Sequence, residues 1–259
     1  MPSYRLAASA EMLFTGLPFI DRVREIHGRG LDVEIWDWTT KDLPALAATG
    51  ATFDSMTGYI EGDLLEDDGI ERFLQTARES IEASRIINCA RLNVHGTGLD
   101  GNGQSIRKRE VVTGVEWLKA ADTLARLADL GAKHDAVFML ENLNLPVDHP
   151  GTPFALAADT IALVSHIDNP HLQLNLDLYH AQIGEGNLIE TVRKGLPWIG
   201  EIQVADVPGR CEPGTGEINY ARIGAELKAL GFDGVVGLEG WASGDSHEAL
   251  SAFIAAFGD

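Results

Sequence analysis

The sequence predicts a single (β/α)₈ barrel spanning residues 1–259, and three observations carry that expectation. The length, 259 residues, is close to the ~250 typical of such barrels. Short apolar runs with strand character alternate with helical runs through the whole chain; such alternation argues for a parallel sheet, and eight repeats argue for closure. Four successive strand-like runs carry Glu141, Asp177, Gln203 and Glu239 at or near their ends. A closed barrel would gather those ends on one rim, where barrel enzymes build their sites. A doubly wound open sheet is the alternative. It is weakened because no GxGxxG follows a first strand and the glycine-rich stretch 96–103 lacks the Lys-Ser/Thr of a phosphate loop.

Residues 4–8 read as the first strand and 17–27 as a helix, with Pro18 suited to its first turn. LDVEIW at 31–36 is the second strand; 39–48 is helical, with Thr39 or Thr40 as its N-cap. Residues 52–56 form the third strand, and 70–87 repeat Phe73, Leu74, Ala77 and Ile81 at helical spacing. RLNVH at 91–95 is the fourth strand, followed by the 96–103 loop and a long helix at 108–134. AVFMLE at 136–141 is the fifth strand, 153–167 a helix, and LQLNLD at 172–177 the sixth strand. A helix at 188–195 leads to the seventh strand, whose Ile199, Ile202 and Val204 are apolar and β-branched. Residues 220–230 form a helix that stops at Gly231, a residue suited to a helix end. Residues 235–239 are the eighth strand and 246–257 the last helix. No linker or second domain is visible.

Composition is ordinary for a globular chain: 45% hydrophobic and 23% charged. The net charge is -19, and an acidic surface repels phosphate backbones and anionic lipid, so nucleic acid and membrane are excluded as expected partners. The two cysteines, Cys89 and Cys211, define no disulfide framework or cysteine-based zinc site. MPSYRLAASAEML at the start has no long apolar segment and no run approaches a membrane span, so a cytoplasmic location is expected. A homo-oligomer is compatible with all of this.

The chemistry is concentrated in the second half of the chain. Three carboxylates (Glu141, Asp177 and Glu239) cannot sit close together ionised without a compensating cation. All-oxygen ligation that includes Gln203 selects a hard ion, Mg²⁺ or Mn²⁺. A lone carboxylate at a strand end more often caps the next helix or faces solvent; the coincidence over four consecutive strands is what points to a metal. The stretch 206–217, DVPGRCEPGTGE, carries more polar groups than a turn needs, and loops on a rigid scaffold are where binding groups sit.

LENLN, LNLDLYHAQIGEGN, EIQVADVPGRCEPGTGEINY and GLEG resemble the hydroxypyruvate isomerase family, within the xylose-isomerase-like sugar isomerase and epimerase barrels. SAEMLFTGLPF is similar to that family's first strand and helix. The likeness covers most of the chain and is strongest after Leu140. It implies that the metal ligands are Glu141, Asp177, Gln203 and Glu239, that Glu141 and Glu239 also act as acid and base, and that Mg²⁺ or Mn²⁺ is the cofactor. The implied reaction interconverts hydroxypyruvate and 2-hydroxy-3-oxopropanoate.

Moving a carbonyl along a chain requires removing a proton from the neighbouring carbon, which leaves an enediolate; a divalent ion stabilises its charge and a carboxylate takes the proton. His180, three residues after Asp177, is a candidate to hydrogen-bond a substrate oxygen, and Arg210 to meet a carboxylate. The expected substrate is a small hydroxy-oxo acid or sugar. The chain departs from the resembled pattern at Glu239-Gly240-Trp241-Ala242, where the family's lysine is missing, and at Trp36-Asp37-Trp38, where relatives are largely apolar. These changes suit a less anionic or bulkier substrate. Trp36, Trp38, Trp241 and His95 are therefore candidate substrate contacts, with simple packing the alternative for each.

Two other readings stay open. A sugar or 2-oxo-tetronate isomerase or 3-epimerase would use the same proton transfers. An endonuclease-IV-like metallohydrolase would need more histidine ligands and a basic face, against a net charge of -19. A binding protein with a dead site is disfavoured by retention of all four ligand types.

Overall fold

Eight parallel strands close in sequence order in the computed structural model, which describes residues 4–89 and 91–258. They are β1 (Arg5–Ser9), β2 (Asp32–Glu34), β3 (Phe53–Thr57), β4 (Arg91–Val94), β5 (Val137–Glu141), β6 (Leu172–Asp177), β7 (Ile199–Val204) and β8 (Val235–Leu238). β1 pairs with both β2 and β8, so the described strands leave no open edge. The helices outside are α1 (Phe19–Gly28), α2 (Leu43–Ala47), α3 (Asp67–Ile87), α4 (Gly114–His134), α5 (Ala157–Ile167), α6 (Leu178–Gly184), α7 (Leu188–Gly195), α8 (Tyr220–Leu230) and α9 (Ser246–Phe257). The closed barrel expected from the alternation is the barrel observed.

Local chemistry explains where the boundaries differ from the sequence reading. Asp37 accepts from Thr39 N and opens a 3-10 turn, and Asp42 then caps a five-residue α2 by accepting from Ala45 N. The capping residues are these aspartates rather than Thr39 or Thr40. Residues 108–113 are not helical. Thr113 and Glu116 form a reciprocal capping box, and α4 begins at Gly114, directly after Thr113. The short helix α6 is an addition to the expected elements: Asp177, the last residue of β6, accepts from His180 N at 2.9 Å and starts it.

Apolar side chains such as Phe73, Phe138, Phe253 and Phe257 are fully buried in one contiguous core. At the N-terminal end of the barrel, Asp54 is paired with Arg5 and Arg91, each at 2.7 Å. At the opposite end, strand register sets Asp177 beside Gln203, Glu141 beside Asn175, and Gln203 beside Gly237. Asn175 and Asp177 are two residues apart on β6, so these pairs bring polar side chains to two successive heights at the end of the barrel that carries the site.

Candidate active site

Glu141, Asp177, Gln203 and Glu239 converge at the C-terminal rim and are nearly inaccessible, at 4%, 1%, 4% and 6% exposure. Three sit on strands; Glu239 follows β8, where its N–H donates to Val204 O at 3.1 Å. Glu141 Oε2 accepts from the Asn93 amide and lies 2.9 Å from His95 Nε2. Tyr59 spends its hydroxyl hydrogen on Thr97 O at 2.6 Å, so its oxygen receives His95 Nδ1 at 3.1 Å. Glu239 Oε1 accepts from the Trp36 indole at 2.7 Å, and its Oε2 from Arg210 Nη2 at 2.5 Å. Asp177 divides its carboxylate: Oδ1 caps α6, while Oδ2 is buried with no hydrogen-bond partner. The capping alternative for a strand-end carboxylate is thus realised at Asp177 by one oxygen, and the other oxygen is left unpartnered.

A buried polar layer lies beneath these groups. Gln203 Nε2 donates to Glu34 Oε2 at 3.2 Å, and Gln203 Oε1 accepts from Asn175 Nδ2 at 2.8 Å. Asn175 Nδ2 also reaches Asn93 Oδ1 at 3.2 Å, and Asn93 in turn donates to Glu141. The Glu141 carboxylate, which can only accept, therefore fixes the orientation of Asn93 and, through it, of the other two amides. Glu34 rests against Glu201, and both are fully enclosed. Glycine at 237 leaves room for this pair, because an added Cβ would fall 1.7 Å from Glu34 Oε1 and displace it. Glu34, Asn93, Asn175 and Glu201 are not among the residues the sequence reading singles out. The available signal was a polar side chain inside an apolar strand run, in LDVEIW, RLNVH, LQLNLD and IGEIQV.

Electrostatics follow from burial. Desolvation would raise the Glu141 carboxyl, but His95, the Asn93 amide and Arg210 together hold it below its ordinary value. Burial lifts Asp177 well above its usual range against the pull of Arg210, with Glu141 and Glu239 adding to the rise. Glu239 is raised for the same reason, again opposed by Arg210. Desolvation keeps the His180 imidazole neutral far below its ordinary pKa, and Arg210 strengthens that effect.

The donor set fits a divalent cation. Glu141 and Asp177 place carboxylate oxygens within 4.8 Å of one another, with a His180 ring nitrogen in the same group, and Asp177 Oδ2 is buried without a partner. Among the described residues Glu239 is not part of that tight group; its oxygens are engaged by Trp36 and Arg210.

The structure redistributes several expected roles. Arg210 is the residue of the 206–217 loop that enters the carboxylate cluster. The other polar groups there build the loop: Asp206 accepts from Val207 N, Gly214 N and Ile218 N, and Glu212 accepts from Ser243 N and Oγ. Trp38 is not brought to the site. Its indole donates to Ser80 on α3 at 2.9 Å and its ring packs on the core, which corrects its candidacy as a substrate contact. Trp36 reaches the site but spends its N–H on Glu239. Trp241 is exposed, with its backbone N–H on Arg210 O at 2.8 Å. Cys211 is a free thiol raised by burial and by Glu212, with no sign of activation.

A closed parallel barrel with a buried, carboxylate-rich centre on its C-terminal rim defines a class of metal-capable barrel proteins. The chain belongs to the xylose isomerase-like TIM barrel family, whose description matches residues 29–256. It is 32% identical over 262 residues to a 2-oxo-tetronate isomerase of Pectobacterium atrosepticum, covering 96% of each chain. It is 26% identical over 249 residues to the hydroxypyruvate isomerase of Escherichia coli K12, covering 91% of this chain and 92% of that one. These relatives place it among the hydroxypyruvate isomerase-like members expected from its motifs. Its fold is shared with a family 2 AP endonuclease from Brucella melitensis, at TM-score 0.85, 24% identity and full coverage of both chains. A 3-keto-D-glucoside 4-epimerase from Escherichia coli has the same fold at TM-score 0.78, with 20% identity and 98% coverage of both chains.

Proposed function

We propose that this protein is a metal-dependent isomerase that moves a carbonyl between adjacent carbons of a small hydroxy-oxo acid. The observation that carries the reading is the convergence of Glu141, Asp177, Gln203 and Glu239 at one buried end of the barrel, in a chain related along its length to isomerases of such acids. Those four residues would hold Mg²⁺ or Mn²⁺, and when bound the ion supplies Lewis-acid stabilisation of the negative charge on two adjacent substrate oxygens. Glu141 and Glu239 exchange the substrate's proton between neighbouring carbons, one removing it and the other returning it. Arg210 lies 2.5 Å from Glu239 and 3.6 Å from Asp177, and there it meets the substrate's negative charge in place of the missing lysine of the last strand. Burial excludes water from the proton in transit.

Four-carbon hydroxy-oxo acids are the favoured substrates, with hydroxypyruvate turned over less efficiently. The departures at Trp36 and Trp241, and the 32% identity with a 2-oxo-tetronate isomerase, support that order. An acidic chain with two free cysteines suits a reducing, cytoplasmic compartment. Among the described residues no helix is long and apolar enough to cross a membrane. The test is NMR of Mn²⁺- or Mg²⁺-supplied protein with hydroxypyruvate, 2-oxo-tetronates and pentoses in D₂O. Isomerisation of an oxo acid with deuterium incorporation is expected. No exchange with any of them would refute the reading, and a higher kcat/KM for hydroxypyruvate than for every longer substrate would refute the substrate order.

A further inference from the structure

His180 is the most enclosed imidazole in the site, at 1% exposure, and its hydrogen-bond accounting closes on one tautomer. Asn144, the last residue of the LENLN run that begins at Leu140, settles it. Asn144 Oδ1 accepts from two backbone donors, Val147 N and Asp148 N, each at 3.0 Å. A backbone N–H can only donate, so this fixes the amide and leaves Nδ2 facing the other way. Nδ2 then donates to Asp148 Oδ2 at 2.6 Å and to His180 Nδ1 at 2.7 Å. His180 Nδ1 must therefore be bare, and the ring hydrogen sits on Nε2. That atom is buried, has no partner, and lies 3.7 Å from Asp177 Oδ2 and 4.0 Å from Glu141 Oε1.

We infer that Asn144 is a positioning residue that locks His180 as the Nε2–H tautomer, making it a hydrogen-bond donor to a substrate oxygen rather than a metal ligand. A metal-binding nitrogen needs a bare lone pair, and a ligating histidine ordinarily donates its other N–H to an acceptor. Here Asn144 presents a donor where that acceptor would have to be. The geometric trio of Glu141, Asp177 and His180 thus divides by chemistry into two oxygen ligands and one donor. The role assigned to His180 rests on the isomerase reading, whereas the tautomer does not.

The experiment is ¹⁵N NMR of imidazole-labelled protein without added metal, with His180→Gln to assign the signals. The expected spectrum has a bare Nδ1 and a protonated Nε2 for His180. A protonated Nδ1 would overturn the inference, whatever the protein catalyses. Asn144→Asp replaces the donor with an acceptor and is expected to move the hydrogen to Nδ1. His180→Leu, which offers neither a donor nor a ligand atom, should keep Mn²⁺ affinity within about threefold while kcat/KM falls by roughly 10²-fold, as for loss of one aimed donor. A loss of Mn²⁺ affinity of about 10-fold or more on His180→Leu would make His180 a ligand and overturn the inference. If the tautomer is as expected but no substrate is turned over, the isomerase reading fails and the tautomer lock stands.

Discussion

Arg210 Nη2 lies 2.5 Å from Glu239 Oε2, so a fixed positive charge already stands among the carboxylates of the rim. The same nitrogen is 3.6 Å from Asp177 Oδ2, and the guanidinium lies 5.0 Å from the centre of the Tyr179 ring. Burial opposes that charge, but Glu239, Asp177 and Glu141 hold Arg210 protonated. A buried acidic cluster needs such compensation, and removing one partner of a buried pair costs far more than the pair contributes.

Arg210→Gln is expected to lower the stability of the metal-free protein by about 3 kcal/mol, the scale of breaking a buried ion pair. Added Mn²⁺ should then raise the melting temperature of the variant more than that of the parent, because the ion restores the missing charge. Thermal melts with and without Mn²⁺ measure both effects. An equal rise in the two proteins would show that Arg210 is not the charge partner.

Chelation should abolish isomerase activity and leave the fold intact, since Arg210 remains to offset the carboxylates. Mn²⁺ or Mg²⁺ should restore turnover. Activity assays and circular dichroism on the same chelated sample check this, and full activity in exhaustively metal-free protein would contradict it.

Glu141→Gln and Glu239→Gln should each reduce kcat by at least roughly 10²-fold, the usual cost of losing a general base. Each substitution keeps size and one oxygen. At least one variant should retain slow exchange of the substrate proton with D₂O, because the other glutamate still works on its side. Near-parental turnover in either metal-loaded variant would reduce that residue to a ligand.

The Glu34–Glu201 pair makes stability depend on pH. Burial, with Asp54 nearby, pushes Glu201 up to about 8, and burial with Glu201 beside it lifts Glu34 well above the ordinary range. Folded-state values raised above the unfolded ones mean that the folded protein binds more protons in that interval. The stabilising contribution is therefore full below about 4.5 and is lost as pH rises through about 8. Glu201→Gln removes one titrating group. Its melting temperature relative to the parent should become steadily more favourable from acidic to mildly alkaline pH. A difference that does not change with pH would show that the pair holds no proton.

Asp206→Ala removes the carboxylate that gathers Val207 N, Gly214 N and Ile218 N, in a residue with no exposed surface. A loss of about 3 kcal/mol is expected, since buried N–H groups are left without their charged acceptor. The loop also carries Arg210, whose N–H donates to Asp206 O at 3.0 Å, so kcat should fall with stability. Denaturant titration and steady-state kinetics test the two together. Unchanged kinetics in a destabilised variant would uncouple the loop from the site.

Much of this protein is determined locally, and that part was legible in the sequence. β6, α7, α8 and α9 have the bounds their residue patterns predict, because periodicity and end signals such as Gly231 act within a few residues. The four rim residues were visible because a polar side chain closing an apolar run stands out against its neighbours. What the sequence could not decide depends on groups far apart in the chain. Trp36 and Glu239 are 203 residues apart, and Gln203 and Glu34 are 169 apart. Only closure of the barrel makes those partners, and with them the direction in which each amide, indole and imidazole hydrogen points. Trp36 and Trp38 show the same limit: they are two residues apart in the chain, yet one faces Glu239 and the other Ser80 on α3. Side-chain type sets what a residue can donate or accept, and tertiary packing decides which partner receives it.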